Sequence, residues 1–252
     1  MPTLTLFLMR KGLREDDVIK RLHDIKVKEG WLVAKKSKFF HSEVEVTYYF
    51  YEPIDDSLRK IFDDEEYIEI AHLLIDNGKY KVLRKIRCFI NVNTGLVEVY
   101  RGPDLVTHNL KQLLEKLLNI QLKPVSLNSS QLVTLIQKYT IELRQAMFRN
   151  VDGFWYTILR GKSLETNPKF TEYLIKNHNS LRVISIRPKI RFLNGGKYTV
   201  TINGDRGTIK ITKDGMFKWR PRFEIRQITF LIAMMLGLIW SCCMKAVLCG
   251  IM

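Results

Sequence analysis

A strand, a tight turn, a second strand and a helix follow one another between residues 81 and 119. In KVLRKIRCFINVNTGLVEVYRG (81–102), Ile86, Cys88 and Ile90 recur at the two-residue spacing of one strand face. Asn93-Thr94-Gly95 supplies a turn, since Asn and Gly tolerate a positive φ. The next segment, DLVTHNLKQLLEKLLN (104–119), carries leucines at helical spacing. The pattern predicts a β-hairpin followed by an amphipathic helix.

The same order of elements recurs near the C-terminus. KYTVTIN (197–203) and GTIKIT (207–212) are joined by the turn residues of NGDRG, and apolar residues at helical spacing follow at 228–240. We therefore predict two pseudo-repeated strand–turn–strand–helix halves. The predicted fold class is α+β, with antiparallel sheets and helices on one sheet face.

A polar joint, LKPVSLNSSQ (122–131), predicts the division between the halves. We expect an N-terminal α+β half (1–125), a basic C-terminal α+β half (126–227) and an apolar C-terminal segment (228–252). The joint also caps a second helix, whose predicted apolar stripe consists of Leu132, Leu135, Ile136, Tyr139 and Leu143. In the N-terminal half, VEVTYYFY (44–51) predicts a strand with aromatic residues on both faces, and the acidic segment 55–69 predicts a solvated helix face or loop.

Positive charge is the feature that bears most on partners. The formal net charge of the 252 residues is +15. Between Leu181 and Arg226, twelve Lys and Arg residues stand against three acidic ones. Self-repulsion of this kind opposes compaction, so the excess points to an anionic partner, either a nucleic acid or a membrane surface.

Strand alternation places most of these cations on one sheet face. Ile209 and Ile211 point to one side of their strand, and Lys210 points to the other. A face of Lys, Arg and Thr can contact phosphates without reading sequence. The predicted function is non-enzymatic, non-sequence-specific nucleic-acid binding, with duplex DNA preferred to RNA. The predicted contact residues are Arg187, Lys189, Arg191, Lys197, Arg206, Lys210, Lys213, Lys218, Arg220 and Arg222.

Motifs of catalysis and cofactor binding are missing from the sequence. There is no Gly-rich phosphate loop, no nucleophile elbow and no Cys/His cluster with metal spacing, and the five histidines are scattered. We expect no catalytic residue, no metal and no cofactor. A metal-dependent nuclease built from residues distant in sequence stays open as an alternative. Because the four cysteines form no framework of spaced pairs, we expect a reducing compartment, either the cytoplasm or the nucleoid or nucleus.

The C-terminal segment 228–252 allows two interpretations. Ile228 to Met244 is a run of uncharged residues almost long enough to span a membrane, which favours a tail-anchored membrane protein with a basic cytoplasmic domain. The other interpretation is a closing helix that packs on the sheet. Its outer side would then need a second subunit, as in a homodimer, or lipid. The residues predicted for such a subunit or membrane interface are Phe230, Met234, Gly237, Trp240, Cys242 and Cys243.

The chain resembles a known family of DNA-binding proteins. The segment FINVNTGLVEVYRGPDLVTHNLKQLLEKLLNIQLKPVSL (89–127) is similar to part of the bacterial recombination-associated protein RdgC family, and residues 3–25 resemble the opening strand and helix of that family. Kinetochore proteins of the centromere-protein-N class have a similar architecture. The resemblance implies a non-enzymatic protein, often dimeric, that binds duplex DNA through a basic surface without sequence preference. It implies no individual contact residue.

Overall fold

One continuous antiparallel sheet forms the frame of the protein. A computed structural model describes residues 3–10, 12–28, 30–53, 64–77, 81–100, 104–189, 197–214, 222–235 and 237. Its strands are β1 (Thr3–Met9), β2 (Ile25–Val27), β3 (Gly30–Lys36), β4 (Glu43–Pro53), β5 (Lys81–Asn91), β6 (Leu96–Tyr100), β7 (Leu122–Pro124), β8 (Thr140–Val151), β9 (Phe154–Arg160), β10 (Leu181–Pro188), β11 (Tyr198–Asn203) and β12 (Thr208–Lys213). Its α-helices are α1 (Glu15–Leu22), α2 (Asp64–Asp76), α3 (Asp104–Leu118), α4 (Ser129–Tyr139), α5 (Pro168–Lys176) and α6 (Arg222–Met235). These elements confirm the predicted α+β class with an antiparallel sheet.

The N-terminal strand joins the two halves of the chain. The strand order is β2-β3-β4-β5-β6-β1-β12-β11-β10-β8-β9, and β7 also pairs with β1. Leu4 lies opposite Tyr100 of β6 on one side and opposite Ile209 of β12 on the other. The predicted division near residue 125 therefore separates two halves of the sequence. The sheet itself is continuous, because strands of both halves pair with β1.

The two predicted hairpin–helix units flank this central strand. β5, β6 and α3 form the first unit, and β11, β12 and α6 form the second. Gly95 and Gly207 both have a positive φ, of 71° and 58°. A Cβ at Gly207 would lie 2.1 Å from the carbonyl oxygen of Val125. Glycine is thus needed there for the turn and for the close approach of the backbone.

Helices cover both faces of the sheet, so the expectation of helices on one face holds only within each half. Thr5, Val99 and Val46 share one side, which we name face A. In the N-terminal half, α1 and α3 pack on face A through Val18, Leu110 and other apolar residues. Leu4 and Ile209 share the opposite side, face B. There α4, α5 and α6 form a second core with β1 and the C-terminal strands.

The second predicted helix ends earlier than its apolar spacing suggested. Asn128 caps α4 in a capping box with Gln131, as the joint predicted. The helix ends at Tyr139, and Leu143 lies in β8, where it is fully buried. An apolar residue at position 143 suits a buried helix position and a buried strand position equally, so the apolar pattern alone could not distinguish helix from strand there.

The closing helix α6 is buried on several sides. Ile228, Phe230 and Ile232 are each at most 4% exposed, and the Phe230 ring stacks on Phe40 at 4.8 Å. The proposal that Phe230 faces a partner or lipid is therefore wrong, because its surface is covered by this chain. Gly237 is exposed with φ 68°, and the side chain of Met234, with Trp240, Cys242 and Cys243, lies outside the described residues. Among the described helices, none has the length and apolar character needed to cross a membrane.

Candidate nucleic-acid interface

A row of polar side chains crosses face A of the C-terminal half. Cross-strand pairing places its members side by side on six strands, and we name this set the polar row: Thr3, Lys210, Thr201, Ser185, Gln145 and Arg160. Ser185 and Thr201 share a hydrogen bond of 2.7 Å, and Arg160 Nε donates to Gln145 Oε1 at 3.2 Å. The row contains hydroxyl, amide and cationic groups and no carboxylate.

The described helices that form the two cores do not pack on this part of face A, where Ser185 is buried and Thr3, Thr201 and Gln145 are half-buried. α1 and α3 pack on face A of the N-terminal half, and α4 to α6 pack on face B. Lys210 is exposed near one end of the polar row, and Arg160 is exposed at the other. The alternation that predicted Lys210 on the side opposite Ile209 and Ile211 is thus confirmed.

Three more predicted residues are exposed cations at the ends of strands that carry the polar row. Lys189 follows β10, Lys197 precedes β11, and Arg206 lies in the β11–β12 turn. No carboxylate forms an ion pair with Lys189, Lys197, Arg206 or Lys210 in the described part of the chain. These four cations are consequently available to an external anion.

Arg187 belongs to a closed ionic network instead. Its guanidinium lies 3.0 Å from Glu142 and 3.2 Å from Asp214. Arg144 contacts the same two carboxylates at 3.3 and 3.2 Å. Two cations and two anions balance, so the network stabilises the joining of β8, β10 and the end of β12 but adds little net charge to the surface. Sequence alternation placed Arg187 on this face and could not show its partners.

Lys213 lies on the other side of its strand. It is opposite Tyr198 in the β11–β12 pair, and its Nζ is 5.9 Å from the centre of the Tyr198 ring. By strand alternation it shares face B with Ile209 and Ile211, so it is not a member of the polar surface. Arg191, Lys218 and Arg220 lie outside the described residues, as does the side chain of Arg222, the first residue of α6.

Arg226, counted in the basic segment of the sequence, is a buried structural residue. It is 1% exposed and forms ion pairs with Glu43 of β4 and Glu98 of β6. Although burial disfavours its charge, Glu98 and Glu43 together raise the pKa of Arg226. Burial raises the pKa of Glu43 to about 7, although the adjacent Arg226 acts in the opposite direction. The charge of Arg226 is therefore paired inside the fold and does not contribute to the surface.

The contributions of β1, β8 and β9 to the polar row could not be predicted from the sequence. Thr3, Gln145 and Arg160 come from outside the basic segment and join the polar row only through strand pairing. Their positions depend on the strand order, which no local pattern encodes. The described residues contain no group of three or more His, Cys, Asp or Glu side chains able to hold a metal ion.

Comparison with protein-family models finds no match to the sequence, and comparison with curated proteins finds no relative of significant similarity. The arrangement of side chains is thus the basis for a functional assignment.

Proposed function

We propose that the protein binds nucleic acid without sequence preference, duplex DNA before RNA, through the polar row and the exposed cations Lys189, Lys197 and Arg206 at the ends of its strands. The observation that carries the proposal is the polar row itself. It places Arg160 at one end and Lys210 next to Thr3 at the other, with hydroxyl and amide groups between the two cations and no carboxylate among the six residues. Cations, hydroxyls and amides are the groups that proteins use to contact phosphate oxygens.

The dimensions of the polar row suit a duplex. Six adjacent strands span about 24 Å at the usual strand spacing. About seven base pairs rise over that length, at 3.4 Å each. Short hydroxyl side chains keep the surface low, so that a phosphate backbone can approach the cations. Such contacts carry no base information, so we expect binding without sequence preference.

The proposal places the protein with DNA, in the cytoplasm or the nucleoid or nucleus. An anionic membrane surface is the other partner that a basic face attracts. No described feature favours it over nucleic acid, and it serves as a comparison in the test. The proposal assigns the polar row no catalytic step and no cofactor.

A pair of matched charge reversals tests the proposal. Lys189→Glu/Lys210→Glu reverses the charge of Lys210 in the polar row and of the exposed Lys189 that follows β10. Lys138→Glu/Lys169→Glu makes the same change in charge on α4 and α5, whose apolar sides pack on face B. We expect the first variant to weaken binding to a fluorescent duplex by at least about ten-fold at low salt, since each lysine removed eliminates a phosphate contact.

The control variant separates a specific surface from overall charge. Equal losses in the two variants would contradict a binding site at the polar row, and so would an unmodified protein that fails to bind any duplex at low salt. Vesicles containing anionic lipid form the parallel arm. Tighter binding to vesicles than to duplex would replace the proposal with a membrane-surface function.

A further inference from the structure

A second open surface lies on face B of the N-terminal half. Trp31 of β3 and Tyr49 of β4 lie directly opposite each other, with ring centres 4.9 Å apart and planes inclined by 11°. The Tyr51 ring is 6.2 Å from Trp31, and Tyr51 is 50% exposed. The neighbouring residues Leu32 and Tyr48 point to the opposite side and are buried in the core. The aromatic residues predicted on both faces of β4 are thus divided between a core and a surface.

Lysines flank the aromatic pair on both sides. Pairing across four adjacent strands sets four residues in line, which we name the aromatic row: Lys26, Trp31, Tyr49 and Lys85. Both lysines are exposed. The distance from β2 to β5 is about 14 Å at the usual strand spacing. A planar ring held near Trp31 would therefore have a cation on either side.

A cleft opens beside this row. It has a volume of about 570 Å³ and is lined by Lys26, Val27, Lys28, Gly30, Trp31, Tyr51 and Lys81. This volume falls within the range of small-molecule sites, which is about 300 to 1,000 Å³. Its three lysines, together with Lys85, have no carboxylate in ion-pair contact in the described ranges. A Cβ at Gly30 would lie 1.8 Å from the carbonyl oxygen of Tyr49, so glycine keeps the two strands close at this point.

The composition of the cleft restricts its ligand. Aromatic rings attract cations, but four lysines around these rings would repel one. A purely apolar ligand would leave the lysines without partners. A planar group joined to an anion can interact with both kinds of lining residue. The aromatic rings stack on the planar group, and the lysines form ion pairs with the anion. Nucleobases joined to phosphates have this chemistry, and every base offers a face for stacking.

We propose that the aromatic row and its cleft bind unpaired nucleobases and their adjoining phosphates, as presented by a single strand of nucleic acid. Trp31 and Tyr51 supply the stacking surface. Lys26, Lys28, Lys81 and Lys85 supply the phosphate contacts. This site lies on the opposite side of the sheet from the polar row and does not depend on duplex binding there.

Substitution of Trp31 tests the site, with a second tryptophan as the control. Trp155 of β9 is 75% exposed and lies far along the sheet order from β3. The probe is a fluorescent oligothymidylate of about ten nucleotides, within the usual range for one binding module. We expect Trp31→Leu to weaken its binding by at least about five-fold, as loss of one stacked base does. Trp31→Phe should restore most of the affinity, and Trp155→Leu should leave it unchanged.

One further variant and one competing ligand distinguish the remaining outcomes. Lys26→Glu/Lys85→Glu changes only exposed side chains and should weaken binding without altering the urea midpoint of unfolding. Deoxythymidine monophosphate is the competing free nucleotide. Binding of the oligonucleotide at least about ten-fold tighter than the nucleotide supports a strand as the ligand, whereas equal affinities would assign the site to a free nucleotide.

Duplex affinity of the same variants distinguishes the two proposals. If Trp31→Leu weakens single-strand binding and leaves duplex binding intact, the two sites are separate, as inferred. If no duplex is bound while the oligonucleotide is bound through Trp31, the proposed function fails and this inference stands. Absence of oligonucleotide binding at low salt would overturn the inference, as would equal losses on substitution of Trp31 and Trp155.

Discussion

Arg226 of α6 forms an ion pair with Glu43 of β4, 183 residues earlier in the chain, and the two side chains are 1% and 2% exposed. Arg226 also pairs with Glu98, and its guanidinium lies 4.0 Å from the centre of the Phe89 ring. Ser37 Oγ donates to Glu43 at 2.6 Å, and Thr229 Oγ1 donates to Glu98 at 2.9 Å. This cluster ties the closing helix of the second half to the strands of the first.

Removal of the buried cation should be strongly destabilising. Arg226→Met leaves the carboxyl groups of Glu43 and Glu98 buried without their partner. We expect the free energy of unfolding to fall by about 3 to 5 kcal/mol, the usual cost of breaking a buried ion pair from one side. Urea unfolding measures the loss. Lys176→Met is the control, since its pair with Glu172 is 68% and 65% exposed and should contribute little to stability. Similar losses in both variants would contradict a special role for Arg226.

The same cluster predicts a pH dependence of stability. Because burial raises the pKa of Glu43 to about 7, the folded protein holds a proton that the unfolded chain releases above about pH 4.3. The contribution of Glu43 to stability is therefore greatest below that pH, falls as the pH rises through the window from about 4.3 to 7, and is constant above it. The facing groups that take part are Arg226, Glu98, Glu45 and Tyr100.

Glu43→Gln isolates this contribution. Glutamine keeps the shape and the hydrogen-bonding oxygen of the side chain but does not titrate. We expect the wild-type protein to lose stability relative to the variant by a few kcal/mol across the window, at about 1.4 kcal/mol per pKa unit. Urea midpoints at intervals between about pH 5 and 8 measure the difference. A constant difference between the two proteins would refute the proposed titration of Glu43.

Two glycines in the left-handed region give a matched comparison of turn and packing. Gly207 has φ 58° and its Cβ would lie 2.1 Å from the Val125 carbonyl oxygen, whereas Gly153 has φ 77° and open space around it. Gly153→Ala should cost about 1 to 2 kcal/mol from its backbone conformation alone. Gly207→Ala should cost more, because it also separates β12 from the chain at Val125. Thermal unfolding measures the loss of stability in each variant. An equal loss in the two variants would show that the backbone around Gly207 and Val125 can move apart without a cost in stability.

The ionic network beside the polar row predicts a gain of affinity. Asp214 holds both Arg144 and Arg187 at 3.2 Å. Asp214→Asn removes one negative charge and frees part of both guanidinium groups for phosphate. We expect a tighter duplex complex, by about three-fold or more, in fluorescence anisotropy at low salt. Asp16→Asn, which removes an exposed charge near Lys36 in the other half, is the control. A gain shared by both variants would reflect overall charge and not the network.

Much of the fold follows from the spacing of apolar residues and from the residues that form the turns. The hairpins around Gly95 and Gly207, the cap at Asn128 and the alternation in β5 and β12 all appear in the structure as the residues predicted. The strand order could not be predicted, because the pairing of β1 with both β6 and β12 joins residues about 100 and 200 positions apart. The division of helices between the two faces follows from that order.

The candidate site could be predicted only in part, because it too depends on the strand order. Lys210 lies where alternation predicted it, and Lys189, Lys197 and Arg206 are exposed. Charge counting could not distinguish these from Arg187, which is paired, or Arg226, which is buried, because partners such as Glu142 and Glu43 are distant in sequence. The aromatic row was missed because its lysines come from two strands that flank Trp31 and Tyr49 only in the folded sheet.

The salt dependence of duplex affinity tests the central claim most directly. Five exposed cations, none with a carboxylate partner in the described part of the chain, predict a slope of log affinity against log salt of about −4 to −5, since each phosphate contact contributes about −0.9. They are Lys189, Lys197, Arg206, Lys210 and Arg160. Anisotropy titrations between about 50 and 200 mM salt measure it for the wild type and for Lys189→Glu/Lys210→Glu. The account predicts that the variant's slope is shallower by about 2. A wild-type slope near zero, or the same slope in both proteins, would contradict it.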